Sequence, residues 1–111
     1  MTTAEFHTEG RRITGFTVRG HSGYAPEGED IVCAAVSAIT QTAMMGLKRF
    51  APDTRARWRE GDAPLLEVEV PHPTRETEVI LTTMVIGLED ILSGVPQYVR
   101  ILHTGSEVES K

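Results

Sequence analysis

One cysteine and one histidine have a spacing that could support nucleophilic catalysis. Cys33 is the single cysteine among 111 residues, and His21 precedes it in a glycine-containing stretch. A thiol is an effective nucleophile only as its thiolate, which a neighbouring histidine or a helix N-terminus favours. The pair indicates acyl transfer, with Cys33 as nucleophile and His21 as general base. The alternatives are an inert buried thiol, since cysteines outside disulfides usually pack as small hydrophobes, and an ordinary loop histidine.

Two further polar residues share the face of the predicted helix on which Cys33 lies. Asp30 precedes Cys33 by one helical turn and Ser37 follows it by one, as the spacings of three and four residues require. Asp30 is either a helix N-cap or a residue that orients His21 and binds the imidazolium formed during reaction. Ser37 bonds either Cys33 or the substrate backbone, or else a carbonyl of its own helix. The sequence leaves both choices open.

The elements that must position these residues are a helix and the loop before it. The pattern predicts a helix from Asp30 to Phe50, apolar around most of its circumference and therefore buried, except for a polar seam that begins with Asp30 and Cys33. Because Cys33 lies in the first turn, unpaired backbone N–H groups and the helix dipole would favour its thiolate and a reaction oxyanion. The helix start therefore favours the catalytic interpretation.

His21 belongs to a predicted substrate loop, residues Gly20–Gly28. Its glycines are Gly20, Gly23 and Gly28, and Tyr24 is the expected apolar anchor for substrate. Glycines on both sides of His21 widen the conformations open to it. We therefore predict that the loop is mobile in the free protein and closes over bound substrate.

The remaining pattern predicts one α+β domain over residues 1–111, in the order ββαββαβ, with two helices packed on a mixed sheet. The predicted strands are Thr3–Thr8, Ile13–Arg19, Arg55–Glu60, Leu65–Val70 and Tyr98–Thr104, the second helix is Thr74–Ser93, and the tail is Gly105–Lys111. No segment is expected to be apolar enough to cross a membrane. The lone cysteine and the absence of a signal peptide predict a cytoplasmic protein.

Composition and spacing weigh against other functions. A net charge of −5 opposes direct binding to nucleic acid. Arg55, Arg57 and Arg59 form either a phosphate-binding strip, as in a non-catalytic ribosome-assembly or RNA-binding module, or a solvated strand face paired with glutamates. The histidines show no paired spacing of a zinc site, and no cofactor or metal is predicted. A redox sensor usually needs a second, resolving cysteine.

Two stretches, 20–25 and 28–38, strongly resemble the ribosomal-processing cysteine protease family called Prp, and the likeness continues through 84–88 and 98–101. The resemblance implies a catalytic dyad of Cys33 and His21, with Asp30 and Ser37 in support. It implies a small α+β fold, usually a homodimer. It also implies removal of a short N-terminal extension from a precursor of the large-subunit ribosomal protein L-twenty-seven. The net charge and the lack of a long apolar run, rather than the resemblance, predict no direct contact with nucleic acid or membrane.

Overall fold

A five-stranded sheet forms the frame of the molecule, with two helices packed on it. The computed structural model describes residues 1–21, 23, 25–26 and 30–106. The elements in chain order are β1 Thr2–Glu9, β2 Arg12–Arg19, α1 Ile31–Phe50, β3 Arg55–Arg59, β4 Leu65–Glu69, α2 Arg75–Gly94 and β5 Val99–Ser106. The predicted α+β class and the order ββαββαβ are confirmed.

The sheet is mixed and has one apolar face. Its strand order is β3-β4-β2-β1-β5, with β1 and β5 parallel and the other neighbours antiparallel. Alternate side chains along a strand point to opposite faces. Ala4, Phe6, Phe16 and Val68 are therefore fully buried in the core, while Glu5 lies between two of them in sequence and on the opposite, polar face. Burial of a phenylalanine stabilises the fold by about 1.5–3 kcal/mol.

The prediction that α1 is buried almost all round is wrong. Val32, Val36 and Leu47 belong to the core, but Ile31 and Met45 keep 66% and 60% of their surface exposed. The physical reason is the layer count, because the side of α1 that faces away from the sheet and α2 has no further layer to cover it. Apolar composition alone does not reveal how many layers a fold has.

A second expectation about α1 also needs correction. The helix is 20 residues long and contains an 18-residue stretch whose mean hydropathy is high enough to cross a membrane, by length and composition alone. The sequence prediction counted uninterrupted apolar residues, whereas isolated Ser, Thr and Gln residues lower a mean only slightly. Core helices have the same composition, and α1 contributes Val32, Val36 and Leu47 to the core of this domain.

The last strand is longer than the sequence predicts. It runs on through Gly105 and Ser106, which were expected to begin the tail. These residues pair in parallel with Thr8 and Glu9 at the end of β1. A local pattern could not predict this, because the pairing strand is almost the whole chain away in sequence.

Candidate active site

The start of α1 places Cys33 on the wall of an open cleft. Asp30 is the N-cap residue, and its carboxylate accepts a hydrogen bond from the Cys33 backbone N–H at 2.9 Å. Cys33 is half-buried in the first turn, which contains no acidic residue. The positive end of the helix dipole therefore lies beside the thiol, and the Asp30 carboxylate at the cap offsets part of it.

The end of β2 brings His21 to the same cleft. Arg19 pairs with Leu65 across the β2–β4 ladder, and the Gly20 N–H donates to the Pro64 carbonyl at 3.2 Å. His21 is the next residue, so it lies beside the turn between β3 and β4. Its Nε2 atom is 3.2 Å from the Gly61 carbonyl oxygen. The pairing of two strands thus determines where the histidine stands.

A cleft with a volume of about 830 Å³ is lined by both His21 and Cys33. Ser37, Gln41 and Met44 line it from α1, and Trp58, Leu65 and Leu66 from β3 and β4. The polar seam predicted on α1 therefore faces this cleft. Trp58 keeps 60% of its surface exposed, so a large aromatic face is available to a bound ligand.

The structure shows one of the two roles considered for Asp30, the helix cap. The residue is buried, and its two carboxylate oxygens accept the N–H groups of Cys33 at 2.9 Å and Ala25 at 3.3 Å. The capping role is confirmed. The sequence analysis expected the N–H groups of the first turn to be unpaired and able to bind an oxyanion. The Cys33 N–H instead donates to Asp30.

Ser37 lies one turn deeper and is exposed on the cleft wall. Within the described part of the chain its hydroxyl makes no bond to a helix carbonyl. The Thr40 hydroxyl, by contrast, donates to the Val36 carbonyl at 2.9 Å. The position of Ser37 favours a contact with substrate over a bond within its own helix.

The glycines beside His21 have a structural reason that the sequence did not reveal. Gly20 and Gly23 have φ angles of +87° and +81°, in the region that favours glycine. A Cβ at Gly20 would lie 2.6 Å from the Met1 carbonyl oxygen, so the backbones also approach closely there. Tyr24 and Gly28 of the predicted substrate loop lie outside the described residues, so loop closure stays a prediction.

The turn between β3 and β4 is the part of the site that sequence reasoning missed. Glu60, Asp62 and Pro64 line the cleft, and Gly61 contacts His21. A Gly-Asp pair between two strands does indicate a hairpin turn. The contact with His21, however, follows only from the pairing of β4 with β2, which the sequence pattern does not specify.

The arginine strip on β3 lies on the polar face of the sheet, and its last residue, Arg59, also lines the cleft. Arg55 pairs with Glu69 at 3.6 Å, and Arg57 pairs with Glu67. Arg59 donates to the Ala63 carbonyl at 2.9 Å. The prediction of a solvated strand face with paired charges is confirmed for Arg55 and Arg57, and phosphate binding by the strip is disfavoured.

Sequence comparisons match this chain to named proteins. A family model described as cysteine protease Prp matches residues 1–100. A Mycoplasma pneumoniae protein named ribosomal processing cysteine protease Prp is 32% identical over 83 residues, 75% of this chain and 80% of the relative. A Staphylococcus aureus protein of the same name is 28% identical over 93 residues, 81% of this chain and 86% of the relative.

Solved structures show the same fold. The crystal structure of SMU.848 from Streptococcus mutans has a TM-score of 0.81 at 21% identity and covers 96% of both chains. The S. aureus protease Prp, in complex with a covalently linked product peptide, has a TM-score of 0.77 at 22% identity, covering 94% of this chain and 100% of that one. Because the family model matches nearly the whole chain, this protein belongs to the Prp family of ribosomal-processing cysteine proteases and is a cysteine protease.

Proposed function

We propose that this cysteine protease removes a short N-terminal extension from a ribosomal protein precursor of the L-twenty-seven type, using Cys33 and His21 as a catalytic dyad. The observation that carries the proposal is that the single cysteine, at a helix N-terminus, and His21 line one open cleft. The relatives' name, ribosomal processing cysteine protease, supports the substrate class.

In the proposed mechanism His21 accepts the thiol proton of Cys33, and the thiolate attacks the scissile carbonyl carbon. The C–N bond then breaks as His21 returns the proton to the leaving amine. A thioester of Cys33 with the departing extension remains. Water, deprotonated by His21, attacks this thioester, and the C–S bond breaks to regenerate the thiol. Each proton taken by His21 is returned within the cycle, so the reaction consumes only water.

The cleft is suited to an extended peptide because it is open and has both apolar and polar walls. Trp58 and Met44 offer apolar contacts, and Ser37 offers a hydroxyl near the nucleophile. Glu60 and Asp62 are exposed acids on the cleft wall. They suit the basic mature N-terminus of a ribosomal protein, which would leave the site as the amine product.

A homodimer in the cytoplasm belongs to the same proposal. Apolar side chains on the outer side of both helices support self-association, namely Ile31, Met45 and Phe50 on α1 with Val79 and Ile86 on α2. Light scattering at two protein concentrations measures the mass directly. A mass of 12.2 kDa for the chain at both concentrations would contradict the dimer.

The substrate proposal is tested by incubating the protein with L-twenty-seven bearing its N-terminal extension and following the mass of the product. We expect loss of the extension with the wild type and none with Cys33→Ala. The same ribosomal protein without its extension serves as the control substrate and should be left intact. An unchanged extended substrate would contradict the proposed substrate, and cleavage by Cys33→Ala would contradict the dyad.

A further inference from the structure

We infer that the main-chain carbonyl of Gly61 orients the catalytic histidine, so that His21 holds its proton on Nε2 and acts as a base through Nδ1. The inference rests on the proposed dyad and adds a positioning residue to it. The contact is the 3.2 Å approach of Nε2 to the Gly61 oxygen, on the wall of the cleft that also holds Cys33.

The chemistry of the two partners assigns the proton. A carbonyl oxygen only accepts hydrogen bonds, so Nε2 must be the donor. A neutral imidazole has a single N–H, and its position is set by the hydrogen bond that one nitrogen makes. Because Nε2 holds the proton, Nδ1 carries the lone pair that can accept the thiol proton of Cys33.

The turn that contains Gly61 is bonded to β3 and to the end of β2. Arg59 donates through Nε to the Ala63 carbonyl at 2.9 Å, which closes the turn from within. The Gly20 N–H donates to the Pro64 carbonyl at 3.2 Å, which ties the turn to the residue before His21. The histidine and its acceptor are therefore positioned by the same piece of sheet.

Asp30, which the sequence analysis considered as a cap or as an orienting residue, caps the start of α1. Its described bonds go to the backbone N–H groups of Cys33 and Ala25. Asp30 thus holds the helix start that presents the thiol, and Gly61 holds the histidine. The two halves of the dyad are positioned by separate parts of the chain.

The conformation of Gly61 provides the test. Its φ angle is +107°, a value that L residues rarely adopt, and a Cβ there would have nothing within 4 Å. L-alanine at this position would therefore act only by straining the turn and moving the carbonyl. D-alanine adopts positive φ without strain, so it adds the same methyl group while leaving the carbonyl in place.

We would compare Gly61→Ala with D-alanine in place of Gly61, introduced by chemical ligation at Cys33. Gly94→Ala is the control, because a Cβ at Gly94 also meets nothing within 4 Å and its φ is not positive. We expect Gly61→Ala to lower kcat about 10–100-fold with little change in KM, because a displaced base slows the chemical step. The D-alanine and Gly94→Ala proteins should keep kcat. Equal activity of the two alanine enantiomers at position 61, whether high or low, would overturn the inference.

A measurement without substrate separates this inference from the proposed function. In Cys33→Ala at mildly alkaline pH, ¹⁵N spectra of the histidine rings report which nitrogen carries the proton, with His21→Ala used for assignment. We expect protonated Nε2 and unprotonated Nδ1 at His21, and a shift toward a mixture in Cys33→Ala combined with Gly61→Ala. Predominant protonation at Nδ1, or identical spectra in the two proteins, would overturn the inference. A wild type that cleaves nothing would instead overturn the proposed function.

Discussion

The two helices have equal lengths of 20 residues but different first turns. In α2, the cap Thr74 and the third helical residue Thr77 bond each other reciprocally, and Thr77 is fully buried. In α1, the cap Asp30 bonds the N–H of the third residue in the same way, but that residue is Cys33, half-buried at the cleft. The same capping hydrogen bond therefore leads to a buried threonine at the start of α2 and to a half-buried thiol at the start of α1.

The first turns of the two helices also differ in their acidic residues. Glu76 and Glu78 lie in the first turn of α2, where they complement the helix dipole. The first turn of α1 contains no acid. Carboxylates there would favour the helix but oppose a thiolate on Cys33 through like-charge repulsion. The α1 start therefore has its carboxylate at the cap, where Asp30 bonds the Cys33 N–H, and none on the residues of the first turn.

The largest expected effect separates the third residues of the two helices. Cys33→Ala should abolish peptide cleavage and leave the fold intact, because alanine suits a helix and only the sulfur is lost. Thr77→Ala, the matched change in α2, should keep the cleavage rate but lower the free energy of unfolding by about 1–3 kcal/mol, since a buried capping pair is broken. Cleavage assays and urea unfolding of both variants measure this contrast. More than a trace of activity in Cys33→Ala would rule out Cys33 as nucleophile.

A second change tests whether the α1 start works with a base. His21→Ala should reduce the cleavage rate about 10²–10⁴-fold, the usual contribution of a general base. It should also slow alkylation of Cys33 by iodoacetamide at neutral pH, because the thiol loses its proton acceptor and less thiolate forms. His72→Ala is the control, since His72 is exposed and bonds Asp53 at 2.6 Å. Equal alkylation rates in the wild type and His21→Ala would show that the thiol does not depend on His21.

Sequence patterns predicted what is determined locally. Both helices, the hairpin of β3 and β4, and the seam that begins with Asp30 and Cys33 follow from periodicity and capping residues. Residue type and spacing selected Cys33 and His21 as dyad candidates but left an inert thiol and an ordinary loop histidine open. The resemblance to the Prp family added the assignment to proteolysis, which spacing alone left open.

What the sequence could not predict depends on strands that pair from distant parts of the chain. The contact of His21 with Gly61 exists because β2 pairs with β4, and the extra length of β5 exists because it pairs with β1. The exposure of Ile31 and Met45 on α1 reflects the number of layers in the fold, which composition does not specify. Each of these features is a tertiary property of residues whose local patterns are ordinary.

A third and smaller effect compares the caps themselves. Asp30→Ala should lower the free energy of unfolding by about 1–2 kcal/mol, through loss of its bonds to Cys33 and Ala25. Thr74→Ala should cost about 1 kcal/mol, because it removes one neutral acceptor from α2. The free energy of unfolding of Asp30→Asn should lie between those of the wild type and Asp30→Ala. Its amide oxygen can still cap Cys33, but its NH₂ group then faces the Ala25 N–H. Urea unfolding measures all three, and equal losses in Asp30→Asn and Asp30→Ala would show that the cap bond to Cys33 contributes nothing.

The smallest expected effect comes from Glu5, a carboxylate on the sheet and at neither helix start. It tests whether the stability of the fold depends on pH through the sheet. On the polar face of the sheet, hydrogen bonds from Arg19 at 2.8 Å and Thr104 at 2.9 Å hold the pKa of Glu5 below its ordinary value of 4.5. A lowered pKa in the folded state stabilises the protein above the unfolded value, and this stabilisation is lost as the pH falls through the folded value. Because the pair is partly exposed to solvent, we expect a contribution of only about 0.2–1 kcal/mol.

Glu5→Gln should therefore be less stable than the wild type at neutral pH by that amount, and the difference should shrink below pH 4.5. Glu9→Gln, the same change at the exposed end of β1, is the control and should match the wild type throughout. Thermal unfolding at several pH values measures the differences. A stability gap between Glu5→Gln and the wild type that stays constant with pH would contradict the assignment of this pH dependence to Glu5.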